Sequence, residues 1–338
     1  MTLAIHGWQA AERLATAVAG RLRHDDSRTA MEELRNRLAA FSRFLYAEQL
    51  IGAYGEASLA DEVGQLVELQ PYDRLWVTEG LGYARGSRAA KGRVPILRDC
   101  RLPESVRIPL HAGLGLALAA SELDDRSDDR VAAKVCRFVD LCTLHASPGY
   151  ASVTFEALGL AVRGLAPHLV IDFAREIAGL HTGLEAYFWH GVGRGAYFSP
   201  HLAATLAPTR DLLVSALAAA PPGEPAANVI AGLSWAVVLV NIRDPGVIDR
   251  YLSSCEEREL DGVQDGVDRA IQVWATCVGP DAHLQALLHW NPGATPDRWE
   301  AFVVGPCLRA FRRVRREQPA RWFRYRKQDC AFDSVAHV

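Results

Sequence analysis

Sustained alternation of apolar and polar residues is missing from this chain of 338 residues, and its β-branched residues are interleaved with Ala and Leu. Half-buried strands need that alternation, so its absence argues against a sandwich, a barrel or an α/β sheet. The longest apolar run, Val229 to Val240, falls short of the roughly 20 residues a membrane-spanning helix requires. The seven cysteines (100, 136, 142, 255, 277, 307 and 330) are odd in number and never stand in C-x-x-C spacing. They read as free thiols in a reducing cytoplasm, with no zinc site. Met1 to Gly7 has no basic stretch leading into a long apolar one, which again makes the cytoplasm the expected location. Net charge is only −3, so nucleic acid is not an expected partner.

Two nucleotide-binding signatures are also lacking. There is no G-x-x-x-x-G-K-[ST] loop, and none of the glycine-rich phrases has the third glycine of G-x-G-x-x-G. What is present instead is a repeat. An apolar Gly-Leu-Gly-like phrase occurs at Gly80-Leu81-Gly82, Gly113-Leu114-Gly115, Ala157-Leu158-Gly159 and Gly191-Val192-Gly193. It fades through Gly232-Leu233-Ser234 and Gly266-Val267-Asp268. The third position of the phrase recurs every 33 to 44 residues, the period of a helix pair with its turns. Inside a helix each glycine costs about 0.8–1 kcal/mol relative to Ala, so a compensating gain is expected. That gain is either close packing of neighbouring helices or room for a ligand beside the backbone.

Read in order, residues 7–24 and 28–53 form amphipathic helices and 57–68 a shorter one. Phrase-bearing helices follow near 74–86, 108–122, 151–164, 184–200, 226–242 and 262–277, with partners near 129–145, 167–181, 208–219 and 246–256. Helices near 280–290 and 297–318 close the chain. The expected fold is all-α, repeated helix pairs forming an α/α toroid or a curved α-solenoid. The expected organisation is an N-terminal cap over 1–70, six repeats over 71–290, and a C-terminal helix with a basic tail over 291–338.

The residue before each phrase is Glu79, Ala112 (beside His111), Glu156, His190, Ala231 or Asp265. If the repeats superpose, these side chains converge, and ionisable groups on apolar helices are costly to bury unless paired or functional. Glu79, Glu156, His190 and Asp265 are therefore the candidate catalytic residues. The competing reading places them at helix N-termini, facing water. Tyr187-Phe188-Trp189 cannot all face one core, so Tyr187, Trp189, Arg194, Trp235, Asn241 and Arg243 are candidate substrate-binding residues in an apolar, aromatic-lined pocket. Gly232-Leu233-Ser234-Trp235-Ala236 lacks the last glycine and the preceding strand of a nucleophile elbow, which makes Ser234 a packing residue. The acidic run holds Asp124, Asp125 and Asp128 in D-D-x-x-D spacing, suited to Mg2+ and a diphosphate, or to a solvated linker. The arginines and aromatics of 308–327 suit a basic helix end, a peripheral membrane contact or an anionic ligand.

The D-D-x-x-D run resembles the metal-binding motif of class I isoprenoid synthases, although the partner N-D-x-x-S-x-x-x-E motif is missing. The phrases Tyr187 to Arg194, Leu239 to Pro245 and Tyr150 to Leu160 resemble a family of bacterial helical proteins of unassigned function. Some of its members are similar to accessory proteins encoded near enediyne and other natural-product genes. That resemblance implies a role in specialised metabolism and carries no catalytic residues with it. Two expectations follow. One is a noncanonical isoprenoid or polyene cyclase, with Glu79, Glu156 or Asp265 as acid, Tyr187, Trp189 and Trp235 against a carbocation, and Mg2+ if the substrate is a diphosphate. The other is a non-enzymatic helical scaffold or an accessory protein that binds a lipophilic small molecule.

Overall fold

The structure, a computed structural model, describes residues 25–54, 58–89, 94–98, 100–124, 130–180, 182–198, 209–293 and 295–314. Among them the chain is helical throughout and has no strand. In order the helices are α1 (Asp25–Tyr54), α2 (Leu59–Gln65), α3 (Pro71–Ala89), α4 (Glu104–Asp124), α5 (Val131–His145), α6 (Ala151–Leu165), α7 (Val170–Leu180) and α8 (Thr182–Phe198). There follow α9 (Thr209–Leu217), α10 (Glu224–Val240), α11 (Pro245–Ser254), α12 (Leu260–Cys277), α13 (Ala282–His289), α14 (Pro296–Trp299) and α15 (Gly305–Val314). The fold is an all-α helical repeat, as the periodicity implies. The helix expected over 7–24 and the basic tail beyond Val314 lie outside the described residues.

Turn chemistry sets several boundaries. Ser58 and Asp61 cap α2 reciprocally, and Asp281 accepts from two backbone N–H groups at the start of α13. Gly223, at φ 94°, lets the chain enter α10 from the left-handed region, with Pro225 following.

The phrase-bearing helices α3, α4, α6, α8, α10 and α12 each pack on the next, and α1 packs on α3. The glycines explain how. A β-carbon placed on Gly82, Gly113, Gly115, Gly159, Gly191, Gly193, Gly232 or Gly266 would stand 1.8 to 2.2 Å from a carbonyl oxygen of the adjoining helix. The first glycine of a phrase faces the helix before it, as Gly113 does Glu79, Gly191 does Glu156 and Gly232 does His190. The second faces the helix after it, as Gly82 does Leu110, Gly115 does Thr154 and Gly193 does Val229. The spacing G-x-G is thus a two-sided notch. Backbones meet at distances that only a missing side chain allows, close enough for Cα–H···O contacts. Where the second glycine becomes Ser234, its Oγ donates to the Ile230 carbonyl and pairs with the Tyr251 hydroxyl, each at 2.7 Å. Ser234 is therefore packed and satisfied in place.

Neighbours run in the same sense, since Gly191 meets Glu156 and Leu160 while Gly195, further along α8, meets Leu160 and Arg163. Across the series, Arg194 of α8 meets Glu79 of α3, and Phe198 meets the earlier Trp76. The series also returns on itself, because α12 packs on α4 and Trp274 lies 6.4 Å from Tyr72.

Two local expectations change. The first two phrase helices, α3 and α4, follow one another with no helix among the described residues between them, so the repeats are not uniformly paired. And α1 is more than a cap on the first repeat. Its Asn36 donates to Asn241 (3.0 Å) and Asp244 (2.6 Å), Arg35 pairs with Asp244, and Glu33 accepts from Tyr197 and from Arg250 (3.0 Å each) and from Thr209. Through these bonds α1 spans from α3 to the far ends of α8 and α10.

Candidate functional site

Because the glycines fix where the helices cross, the residues just before them are carried to the centre. Glu79 of α3, Glu156 of α6 and His190 of α8 are all buried there. Arg194, one turn beyond His190, completes the group. Its Nη1 donates to Glu156 Oε1 at 2.7 Å, and its Nη2 reaches Glu79 Oε1 at 3.5 Å. The guanidinium lies 4.1 Å from the centre of the Trp235 ring, a cation–π contact. His190 Nδ1 stands 3.0 Å from the same Glu156 oxygen.

Burial acts on the two carboxyls and the imidazole, with different outcomes. It would raise Glu156, but the Arg194 guanidinium and the hydrogen bonds from Arg194 and His190 outweigh it and hold that carboxyl below its ordinary value. Burial lowers His190 despite Glu156, so the ring is neutral and donates from Nδ1. Glu79 is raised by burial and by the Glu156 charge, against the opposing pull of Arg194. The cluster therefore sets one guanidinium against two carboxyls, of which burial favours the protonated form of Glu79.

Glu79 also lines a cavity of about 280 Å³. The wall is otherwise apolar and aromatic, built from Phe41 and Phe44 of α1, Trp76 and Tyr83 of α3, and Phe198 of α8, with leucine, alanine and glycine from α4, α6 and α8. Phe41 and Trp76 meet Phe198 edge-on at 6.0 and 5.8 Å, and Phe44 meets Tyr83 at 5.3 Å. Among the described residues, Glu79 is the one carboxyl on this wall.

The other candidates are placed as follows. Asp265 is partly exposed on α12, 3.7 Å from Arg269, and does not line the cavity. Tyr187 and Trp189 are buried in the core and do not line the cavity. Trp235 serves as the floor under Arg194. Asn241 donates to the Tyr197 hydroxyl at 2.8 Å, and Arg243 donates to Asn36 at 3.0 Å while lying over the Tyr72 ring at 4.1 Å. These two are spent on holding α1, not on the pocket. His111 is neutral, pushed down to about 4 by burial; its ring bonds the Arg107 carbonyl and the Ser147 N–H at 2.6 and 2.9 Å. Asp124 is exposed at the end of α4, and Asp125 and Asp128 lie outside the described residues. Among the described residues no group of three His, Cys, Asp or Glu side chains is placed to hold a metal ion.

Sequence reasoning reached the acid, the histidine and the arginine but missed the aromatic wall. A signal existed for part of it: Trp76, Glu79 and Tyr83 are spaced three and four apart, one face of one helix. Phe41, Phe44 and Phe198 come from distant helices and give no such pattern. No single described helix is long and apolar enough to cross a membrane. No protein-family model, curated protein or solved structure matches this chain.

Proposed function

We propose that the chain is an enzyme of specialised metabolism that admits a lipophilic molecule of isoprenoid or polyene class to the cavity and isomerises or cyclises it by proton transfer from Glu79. The observation that carries this reading is the position of Glu79, the lone carboxyl among the described residues of an apolar aromatic wall, with burial favouring its protonated form. In the reaction the Glu79 O–H bond breaks and a C–H bond forms at an alkene carbon. The positive charge left on the substrate lies among Trp76, Tyr83 and Phe198, and later loss of a proton to the Glu79 carboxylate completes an isomerisation. Glu156 is unsuited to the role of acid because it is held ionised, and Asp265 because it does not line the cavity. A dry cavity of about 150 Å³ holds benzene. The cavity of about 280 Å³ is nearly twice that, which favours a hydrocarbon of about ten carbons over one of twenty. The resemblance to accessory proteins of natural-product gene clusters agrees with such a substrate.

The test is incubation with geranyl, farnesyl and geranylgeranyl diphosphates and the corresponding alcohols, with and without Mg2+, followed by gas chromatography–mass spectrometry. A product lost in Glu79→Gln and kept in Asp124→Ala supports proton-initiated chemistry. A product that requires Mg2+ and is lost in Asp124→Ala moves the chemistry to the acidic run, with Asp124, Asp125 and Asp128 on the metal. A second reading is a lipophilic-ligand carrier without turnover. It is favoured by the bonds of Arg194 and His190 to Glu156 and the contact of Arg194 with Trp235, which hold these groups to one another. Binding of the alcohols with no product at any pH would establish it.

A further inference from the structure

The central cluster contains two carboxyls and one guanidinium. Arg194 is matched by Glu156 at 2.7 Å and backed by Trp235. It touches Glu79 only at the limit of a hydrogen bond, 3.5 Å. If Glu79 ionises, the buried group carries one negative charge in excess, in surroundings where an unmatched charge is expensive. Among the described residues the neighbours do not supply the missing charge. His190 is neutral; Tyr83 on the wall and the buried thiol of Cys277, pushed up to about 12, carry no positive charge. Arg269, which bears on His190, is paired with Asp265. Among the described residues, Glu79 also borders the cavity. There Phe41, Phe44, Trp76, Tyr83 and Phe198 contribute aromatic rings, which attract a cation and offer nothing to an anion.

Resting on the reading of the cavity as a lipophilic-ligand site, we propose that it selects a monocation, an ammonium borne on a hydrocarbon of about ten carbons, seated between Glu79 and the aromatic wall. The ammonium takes the place of the Glu79 proton. Binding at neutral pH therefore releases one proton from the protein, and the cluster with its ligand is again balanced. Neutral ligands of the same length leave the proton in place and gain only apolar burial.

The experiment compares decylamine, decan-1-ol and decanoate by isothermal titration calorimetry of the full chain at pH 7.5, in phosphate and in Tris. Two buffers of different ionisation enthalpy give the number of protons released. The alcohol is the less water-soluble of the first two, so a simple greasy pocket favours it. The expected result is that decylammonium binds at least tenfold more tightly than decanol, with about one proton released, and that decanoate binds worst. In Glu79→Gln the amine is expected to lose its advantage while the alcohol keeps its affinity. Equal binding of amine and alcohol in the unaltered protein, or an amine preference that survives Glu79→Gln, overturns the proposal but leaves the cavity as a lipophilic site. Failure of all three probes to bind overturns both readings together. The comparison within the unaltered protein decides the matter even if Glu79→Gln does not fold.

Discussion

A methyl group on Gly113 would stand 1.8 Å from the carbonyl oxygen of Glu79. One glycine thus sets both how closely α4 approaches α3 and where the Glu79 side chain sits. The helical cost of the glycine is returned as a backbone contact that no other residue permits.

Gly113→Ala is therefore expected to destabilise the protein, although Ala is the better helix former. The colliding atom is backbone and cannot move aside as a side chain does. Overpacking of this kind costs about 1–3 kcal/mol or more, beyond the gain of up to about 1 kcal/mol from propensity. Gly179→Ala is the matched comparison, since nothing lies within 4 Å of a β-carbon there. It is expected to be neutral or stabilising by up to about 1 kcal/mol. Urea unfolding of the two variants checks the contrast, and equal effects would show that the notches are not structural.

Glu156→Ala leaves Arg194 buried without its nearest carboxylate. Such a change costs about 3–5 kcal/mol. Replacing both partners, Glu156→Leu with Arg194→Met, is expected to cost much less, because no unmatched charge is left inside. A double variant as unstable as the single one would mean that the pair's shape, and not its charge, supports the ring.

Stability is expected to fall as the pH drops from about 6.5 to about 4. The neutral His111 ring accepts the Ser147 N–H, and its folded pKa of about 4 lies below the ordinary value of 6.5. Between those two pH values the unfolded chain binds the extra proton. The His111 contribution is thus complete above about pH 6.5 and is lost as the pH falls through 4. The full shift corresponds to about 3 kcal/mol. Unfolding of His111→Gln across that range is expected to show a correspondingly shallower pH dependence.

Ala120 lines the cavity from α4, so Ala120→Leu is expected to fill part of it. Loss of decanol binding with unchanged or raised thermal stability is the expected outcome. Undiminished binding would place the ligand elsewhere.

The helices, their approximate limits and the glycine register were legible in the sequence because each depends on residues within a turn or two of one another. The convergence of Glu79, Glu156 and His190 was legible for a related reason: equivalent positions of a repeat occupy equivalent places, whatever encloses them. Asp265 departs because the repeat is fading at α12, where Arg269 one turn away takes up its charge. What tertiary structure alone decided is which of the central groups meets a cavity and what else surrounds it. Arg194 and Glu79 are 115 residues apart, and Glu33 and Tyr197 are 164 apart. Contacts of that range depend on how the whole series of helices packs, which brings α8 against α3 and α1 across the ends of α8 and α10. No local pattern encodes that arrangement. For that reason Asn241 and Arg243, which follow an apolar helix as pocket residues do, prove to be the fastening of α1, while Phe41, Phe44 and Phe198 form the wall.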